Sequence, residues 1–114
     1  MNRISTHVLD TANGTPAARV PVRLERQDAS GKWTFLGSAE TGPDGRCNQL
    51  LREGELLREG RYRLTFDTAL YYAACGIQGL YPVVEVTFQV RGGELQFHIP
   101  LLLSANAYTT YRGS

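Results

Sequence analysis

The chain of 114 residues contains two histidines, His7 and His98. Imidazole is the side chain whose ordinary pKa lets it give or take a proton near pH 7. Each histidine lies in a run that alternates apolar and polar residues, the mark of a half-buried strand. In residues 4–9, Ile4, Thr6 and Val8 share one face and His7 points to the other. In residues 95–99, Leu95, Phe97 and Ile99 form the inward set and His98 points outward. Taken singly, each reads as a solvated surface histidine. They become a proton-transfer pair only if the fold makes them meet, which alternation cannot show. Arg46 directly follows the turn Pro43-Asp44-Gly45, at the mouth of a strand where functional side chains often lie. An exposed strand-end arginine is the plainer reading of it. The tail Tyr108-Thr109-Thr110-Tyr111-Arg112-Gly113-Ser114 is β-prone yet ends abruptly, and chain ends commonly fray.

Other chemistries lack their residues. No GxSxG elbow, phosphate-cradling loop or HExxH pattern is present. Cys47 and Cys75 lack CxxC spacing and are expected as a reduced, structural pair. Cys47 beside Arg46 invites a reading as an activated thiolate, but a buried core cysteine is the favoured one. Zinc is not expected, because two histidines and two cysteines are scattered singly. Net charge is +1, with 12 basic residues against 11 acidic. That is no one-signed field for nucleic acid or an acidic membrane. Apolar runs such as Leu101 to Leu103 fall far short of the ~20 residues of a membrane span. With no apolar leader after Met1, a cytoplasmic location is expected.

The elements that must position these residues are strands. Val20, Val22 and Leu24 alternate with polar neighbours, as do Tyr62, Leu64 and Phe66, and Val84, Val86, Phe88 and Val90. Weaker candidates are residues 4–9, 33–39, 46–50 and 107–111. Asn13-Gly14, Ser30-Gly31, Pro43-Asp44-Gly45 and Gly92-Gly93 mark reversals, and Gly92-Gly93 between two alternating runs signals a hairpin. Residues 68–78, rich in Ala and Tyr, predict one short helix with Asp67 or Thr68 as its N-cap. Residues 50–54 recur as residues 56–60. Two copies are too few for a solenoid, so the stretch reads as an irregular or edge connection whose repetition is accidental. About eight short strands in a single domain over residues 1–114 point to an all-β sandwich.

Three segments together resemble the transthyretin-like 5-hydroxyisourate hydrolases. They are Ser5-Thr6-His7-Val8-Leu9-Asp10-Thr11-Ala12 with Gly14, Pro16 and Ala17, then Thr41-Gly42-Pro43-Asp44-Gly45-Arg46, then His98-Ile99-Pro100-Leu101-Leu102-Leu103-Ser104 running on to the terminal Tyr-Arg-Gly-Ser. Gly60-Arg61-Tyr62, Tyr71-Tyr72 and Tyr81-Pro82 fall between them in order, so the likeness spans nearly the whole chain. Two departures stand out. Ala105-Asn106-Ala107 replaces a Pro and an aromatic or Gly after Ser104, and Gln96-Phe97 precedes His98 where another His or Tyr is common.

The resemblance implies a two-sheet sandwich with a short helix. It implies a homotetramer in which domains pair edge to edge and dimers pack face to face, with clefts on the faces carrying His7 and His98. It implies hydrolysis of a ring amide with His7, Arg46 and His98 as catalytic groups and Tyr111, Arg112 and Ser114 as substrate-binding ones. Either histidine could be the base. No metal or organic cofactor is called for, and the partner is the small-molecule substrate. Two rivals are a transthyretin-type carrier of an aromatic ligand, which would favour an apolar channel, and a β-sandwich interaction module offering an edge or face to another protein.

Overall fold

The computed structural model describes residues 2–114. Nine strands and one helix follow in the order β1 (Arg3–Asp10), β2 (Thr15–Pro16), β3 (Pro21–Gln27), β4 (Trp33–Glu40), β5 (Arg46–Cys47), β6 (Gly60–Phe66), α1 (Thr68–Ala74), β7 (Val84–Val90), β8 (Gln96–Ser104) and β9 (Ala107–Thr110). They make two sheets. One runs β2-β1-β8-β9, with β5 also paired to β1, and the other runs β4-β3-β6-β7. The all-β sandwich expected from the alternation is present, with a two-residue β2 that the pattern did not announce.

The period of two explains the layering. Ile4 and Val8 of β1 and Phe97, Ile99, Leu101 and Leu103 of β8 are buried, as are Val22 and Leu24 of β3 and Tyr62, Leu64 and Phe66 of β6. Each alternating set faces the other sheet, so apolar area leaves water on both sides of one layer. Phe88 of β7 and Phe97 of β8 meet across this layer, ring centroids 5.7 Å apart.

That contact corrects the hairpin reading of Gly92-Gly93. The reversal occurs, with Gly93 at φ 86, but β7 and β8 belong to different sheets. Two amphipathic strands on either side of a turn can pair by their edges or pack by their faces, and here their apolar faces meet. Leu95, counted with the inward set, precedes β8 and is 47% exposed.

Two other expectations need trimming. The helix stops at Ala74 rather than at residue 78, because Gly76 adopts φ 70. Ile77 N then donates to the Tyr72 carbonyl and Gly76 N to the Ala73 carbonyl, the pattern of a Schellman stop. Its start is as expected, with Asp67 accepting from Leu70 N. The strand expected over residues 46–50 keeps only Arg46 and Cys47. Past them the Gln49 side chain takes over part of the ladder, accepting from Ile4 N and donating to the Asn2 carbonyl. The duplicated segments occupy unlike surroundings, Leu50 and Leu51 buried and Leu56 exposed, as an accidental repeat should.

One buried hydroxyl ties the β2–β3 connection to the end of β4. Thr41 Oγ1 accepts from Val20 N at 2.9 Å and donates to the Ala17 carbonyl at 2.7 Å. Thr41→Val keeps the shape and removes both bonds, leaving a buried donor and a buried acceptor unpaired. It should lower unfolding free energy by about 2 to 4 kcal/mol in urea titrations. A variant as stable as the parent would contradict this anchor.

Candidate active site

The register of one parallel pair brings the sequence candidates together. β1 and β8 lie side by side with Ser5 opposite His98 and His7 opposite Pro100. On the other flank of β1, β5 places Arg46 opposite His7. Partners across a ladder project from the same side of the sheet. Arg46, His7, Ser5 and His98 therefore share the outer face, away from the core set of Ile4, Val8, Phe97 and Ile99.

The turn before Arg46 is docked onto β1. Gly45 N donates to the Gly42 carbonyl, Gly42 N to the Arg46 carbonyl, and the Asp44 carboxylate accepts from Arg46 N. Gly45 sits at φ 79, and a Cβ there would run into the Val8 carbonyl. Its own carbonyl receives Val8 N at 2.7 Å. The same turn reaches His7, whose Nε2 donates to the Asp44 carbonyl at 2.9 Å. A carbonyl only accepts, so this bond places the proton of neutral His7 on Nε2.

His98 is held from two sides. Its Nδ1 lies 2.8 Å from Ser5 Oγ. Across the ring is Gly113, which bridges to His98 and donates its N–H to the His98 carbonyl at 2.7 Å. Burial, and then the charges of Arg46, His7 and Arg3, hold the His98 pKa below the ordinary 6.5. The imidazolium form is disfavoured twice, by lost water and by neighbouring cations. Among the described residues no protein partner bonds His98 Nε2, which stays available on a groove of about 430 Å³. Arg3, Ser5, Arg46, His98, Arg112 and Ser114 contribute to its lining, and none of the lining side chains is acidic.

The tail is ordered, but differently from the strand expected through Tyr111. β9 pairs with β8 as far as Leu101↔Thr110. The ladder then lapses opposite Pro100, which has no N–H to give, and resumes in the same register at His98↔Gly113. Thr110 Oγ1 donates to the Pro100 carbonyl and bridges the lapse. Arg112 is braced by Glu94 at 2.8 Å and the Gln96 carbonyl, its guanidinium 4.3 Å from the Phe97 ring centre. Arg112 and Ser114 reach the groove, whereas Tyr111 lines a separate hollow with Val86 and Phe88.

Sequence reasoning assigned no site role to Ser5, Arg3, Asn48 or Gln96, all of which line the groove. Ser5 and Arg3 were findable, since they share the face of β1 with His7 at intervals of two. Gln96 likewise shares the face of β8 with His98 at an interval of two, whereas Asn48 depends on which strands are neighbours. Cys47 is buried, and burial, with the Asp44 charge, raises its thiol to about 11, the reverse of an activated thiolate. Cys75, also free, is exposed at the end of α1, so only Cys47 fits the structural reading.

Comparison with known proteins follows the same residues. The HIUase/Transthyretin family model matches residues 4–113. A 5-hydroxyisourate hydrolase of Mus musculus is 46% identical over 112 residues, covering 97% of this chain and 94% of the relative. The solved structure of Klebsiella pneumoniae 5-hydroxyisourate hydrolase superposes with a TM-score of 0.86 at 34% identity over the whole of both chains. Sea bream transthyretin in complex with thyroxine superposes with a TM-score of 0.90 at 31% identity, over 97% of this chain and 94% of that one. The hydrolase and the transthyretin thus fit the backbone about equally well, and side chains must separate them.

The electrostatics of His98 can be read directly. An NMR titration should place its midpoint below 6.5, and Arg46→Gln should move it upward, because removing a cation eases formation of the imidazolium. A wild-type midpoint at or above 6.5 would contradict the crowding of charge described here.

Proposed function

The chain belongs to the HIUase/Transthyretin family, and from that membership and the chemistry of the groove we propose that it hydrolyses 5-hydroxyisourate. The enzyme opens a ring amide to give 2-oxo-4-hydroxy-4-carboxy-5-ureidoimidazoline, a step in the degradation of urate to allantoin. The observation that carries the assignment is the neutral, unblocked Nε2 of His98 beside a groove whose lining side chains include three arginines and no carboxylate. A thyroxine-type carrier favours an apolar channel, and these arginines and histidines are a poor match for one.

Hydrolysis needs a proton taken from water, charge balanced on the carbonyl oxygen, and a proton given to the departing nitrogen. His98 Nε2 accepts the water proton as the oxygen attacks the ring carbonyl. The Arg46 guanidinium faces the oxyanion that forms, with a planar fork of donors. When the ring C–N bond breaks, the proton held on His98 passes to the nitrogen and the free base returns. His7, its Nε2–H committed to Asp44, contributes a second imidazole on the same face and fixes the turn that carries Arg46. Arg112 and Ser114 bound the groove. Tyr111 would reach substrate only across a subunit boundary.

Such a boundary is part of the proposal. The groove lies open on an outer sheet face, and one copy cannot close it against water. A homotetramer in which two such faces pack together supplies the missing wall and would be the working form, in the cytoplasm.

Four measurements test this reading. Freshly generated 5-hydroxyisourate, followed against its spontaneous decay, should disappear faster with the protein, and kcat/KM should fall on acidification with a limb below 6.5. The sign follows from the base: protonation abolishes it, and its lowered pKa moves that loss to lower pH. No acceleration, or a limb well above 6.5, would overturn the assignment. Arg46→Lys should lose about 10²–10³ in kcat, since a point charge cannot copy the fork. Light scattering should give four times the 12.6 kDa chain mass, and an active monomer would sink the interface model.

A further inference from the structure

We propose that Ser5 is a positioning residue that fixes the tautomer of His98, placing its proton on Nδ1 so that Nε2 faces the groove as a free base. The inference rests on the reading of His98 as the base and adds a residue to it. Ser5 is 8% exposed on a sheet face that is otherwise half open. Its oxygen lies 2.8 Å from His98 Nδ1, and the β1–β8 register sets the two residues directly opposite each other. Among the described residues this is the hydroxyl's one side-chain hydrogen bond.

The chemistry gives the bond its purpose. A neutral imidazole free in water prefers its proton on Nε2, the wrong nitrogen for a base acting through Nε2. Which nitrogen carries the proton in a protein is set by the partner of the other one. The hydroxyl can donate or accept at this distance; in the proposed arrangement it accepts from Nδ1–H, its own proton turned to solvent, and so reverses the preference. Gly113 closes the opposite side of the ring. A Cβ there would stand 2.5 Å from His98 Cδ2, so the position leaves room for the ring only because it is glycine. His7 is held in the opposite tautomer by the Asp44 carbonyl. The two rings on this face thus present unlike nitrogens, and only His98 keeps Nε2 bare.

Long-range ¹H–¹⁵N spectra of the labelled protein at about pH 8, above any lowered histidine pKa, read the tautomer without substrate. The expected result is a protonated Nδ1 and a bare Nε2 for His98 in the wild type and in Ser5→Thr, with Ser5→Ala shifted toward Nε2–H. In the hydrolysis assay Ser5→Ala should lose about 10- to 100-fold in kcat, the scale seen when a histidine's outer partner is removed, with KM changed less than about threefold. Ser5→Thr should restore the rate. A wild-type His98 protonated on Nε2, or a Ser5→Ala enzyme within about twofold of wild-type kcat, would overturn the proposal. If Ser5→Ala fails to fold, the wild-type spectrum still decides it. A wild-type protein with the expected spectrum and no hydrolysis would instead overturn the assigned reaction.

Discussion

The parallel pairing of β1 with β8 is the constraint on which the rest depends. It joins segments more than ninety residues apart, and eight consecutive pairs run from Arg3↔Gln96 to Asp10↔Leu103. The core faces of both strands hold the register. Ile4, Val8, Phe97, Ile99 and Leu101 are all buried, and Thr6 donates to the Ile99 carbonyl from inside. A slip of β1 by one residue would turn Ile4 and Val8 outward and carry Ser5 and His7 into the core. Burial of one face therefore positions the polar chemistry of the other.

Around this pair the protein concentrates positive charge and supplies little to neutralise it. Arg46, Arg3 and His7 all weigh against protonation of His98. Arg112 is the exception, because Glu94 pairs with it and is held below the ordinary carboxylate range by Arg112 and Arg91. Arg112 thus acts chiefly as a brace for the tail. The brace keeps Gly113 beside the His98 ring, where a Cβ would stand 2.5 Å from Cδ2 and a side chain would not fit. A groove of this sign suits a planar, electron-rich ring whose reaction builds negative charge on oxygen.

Much of this was legible in the sequence. Alternation located the strands, their inward faces and the outward turn of both histidines, because period two is a local property. The resemblance in residues 5–12, 41–46 and 98–114 pointed to the residues worth watching. Strand partnership was not legible. Gly92-Gly93 makes the same reversal whether the flanking strands pair or stack, and only the core decides. Helix length depended on whether Gly76 would take a left-handed conformation, which composition permits without requiring. Ser5 could be placed on the His7 face of β1 by its interval of two, but its role was not legible until its cross-strand neighbour, His98, was known. The path of Tyr111 depended on a ladder lapse at Pro100 that no tail motif discloses.

The central claim is that hydrolysis proceeds from His98 on the outer face of the β1–β8 pair. Its most direct test is the steady-state rate of His98→Asn on freshly generated 5-hydroxyisourate, with circular dichroism and mass checked alongside. Asparagine preserves a polar contact to Ser5 while removing the titrating nitrogen. The account predicts a loss of about 10²–10⁴ in kcat with fold and assembly intact. A folded His98→Asn protein with near wild-type kcat/KM would contradict it.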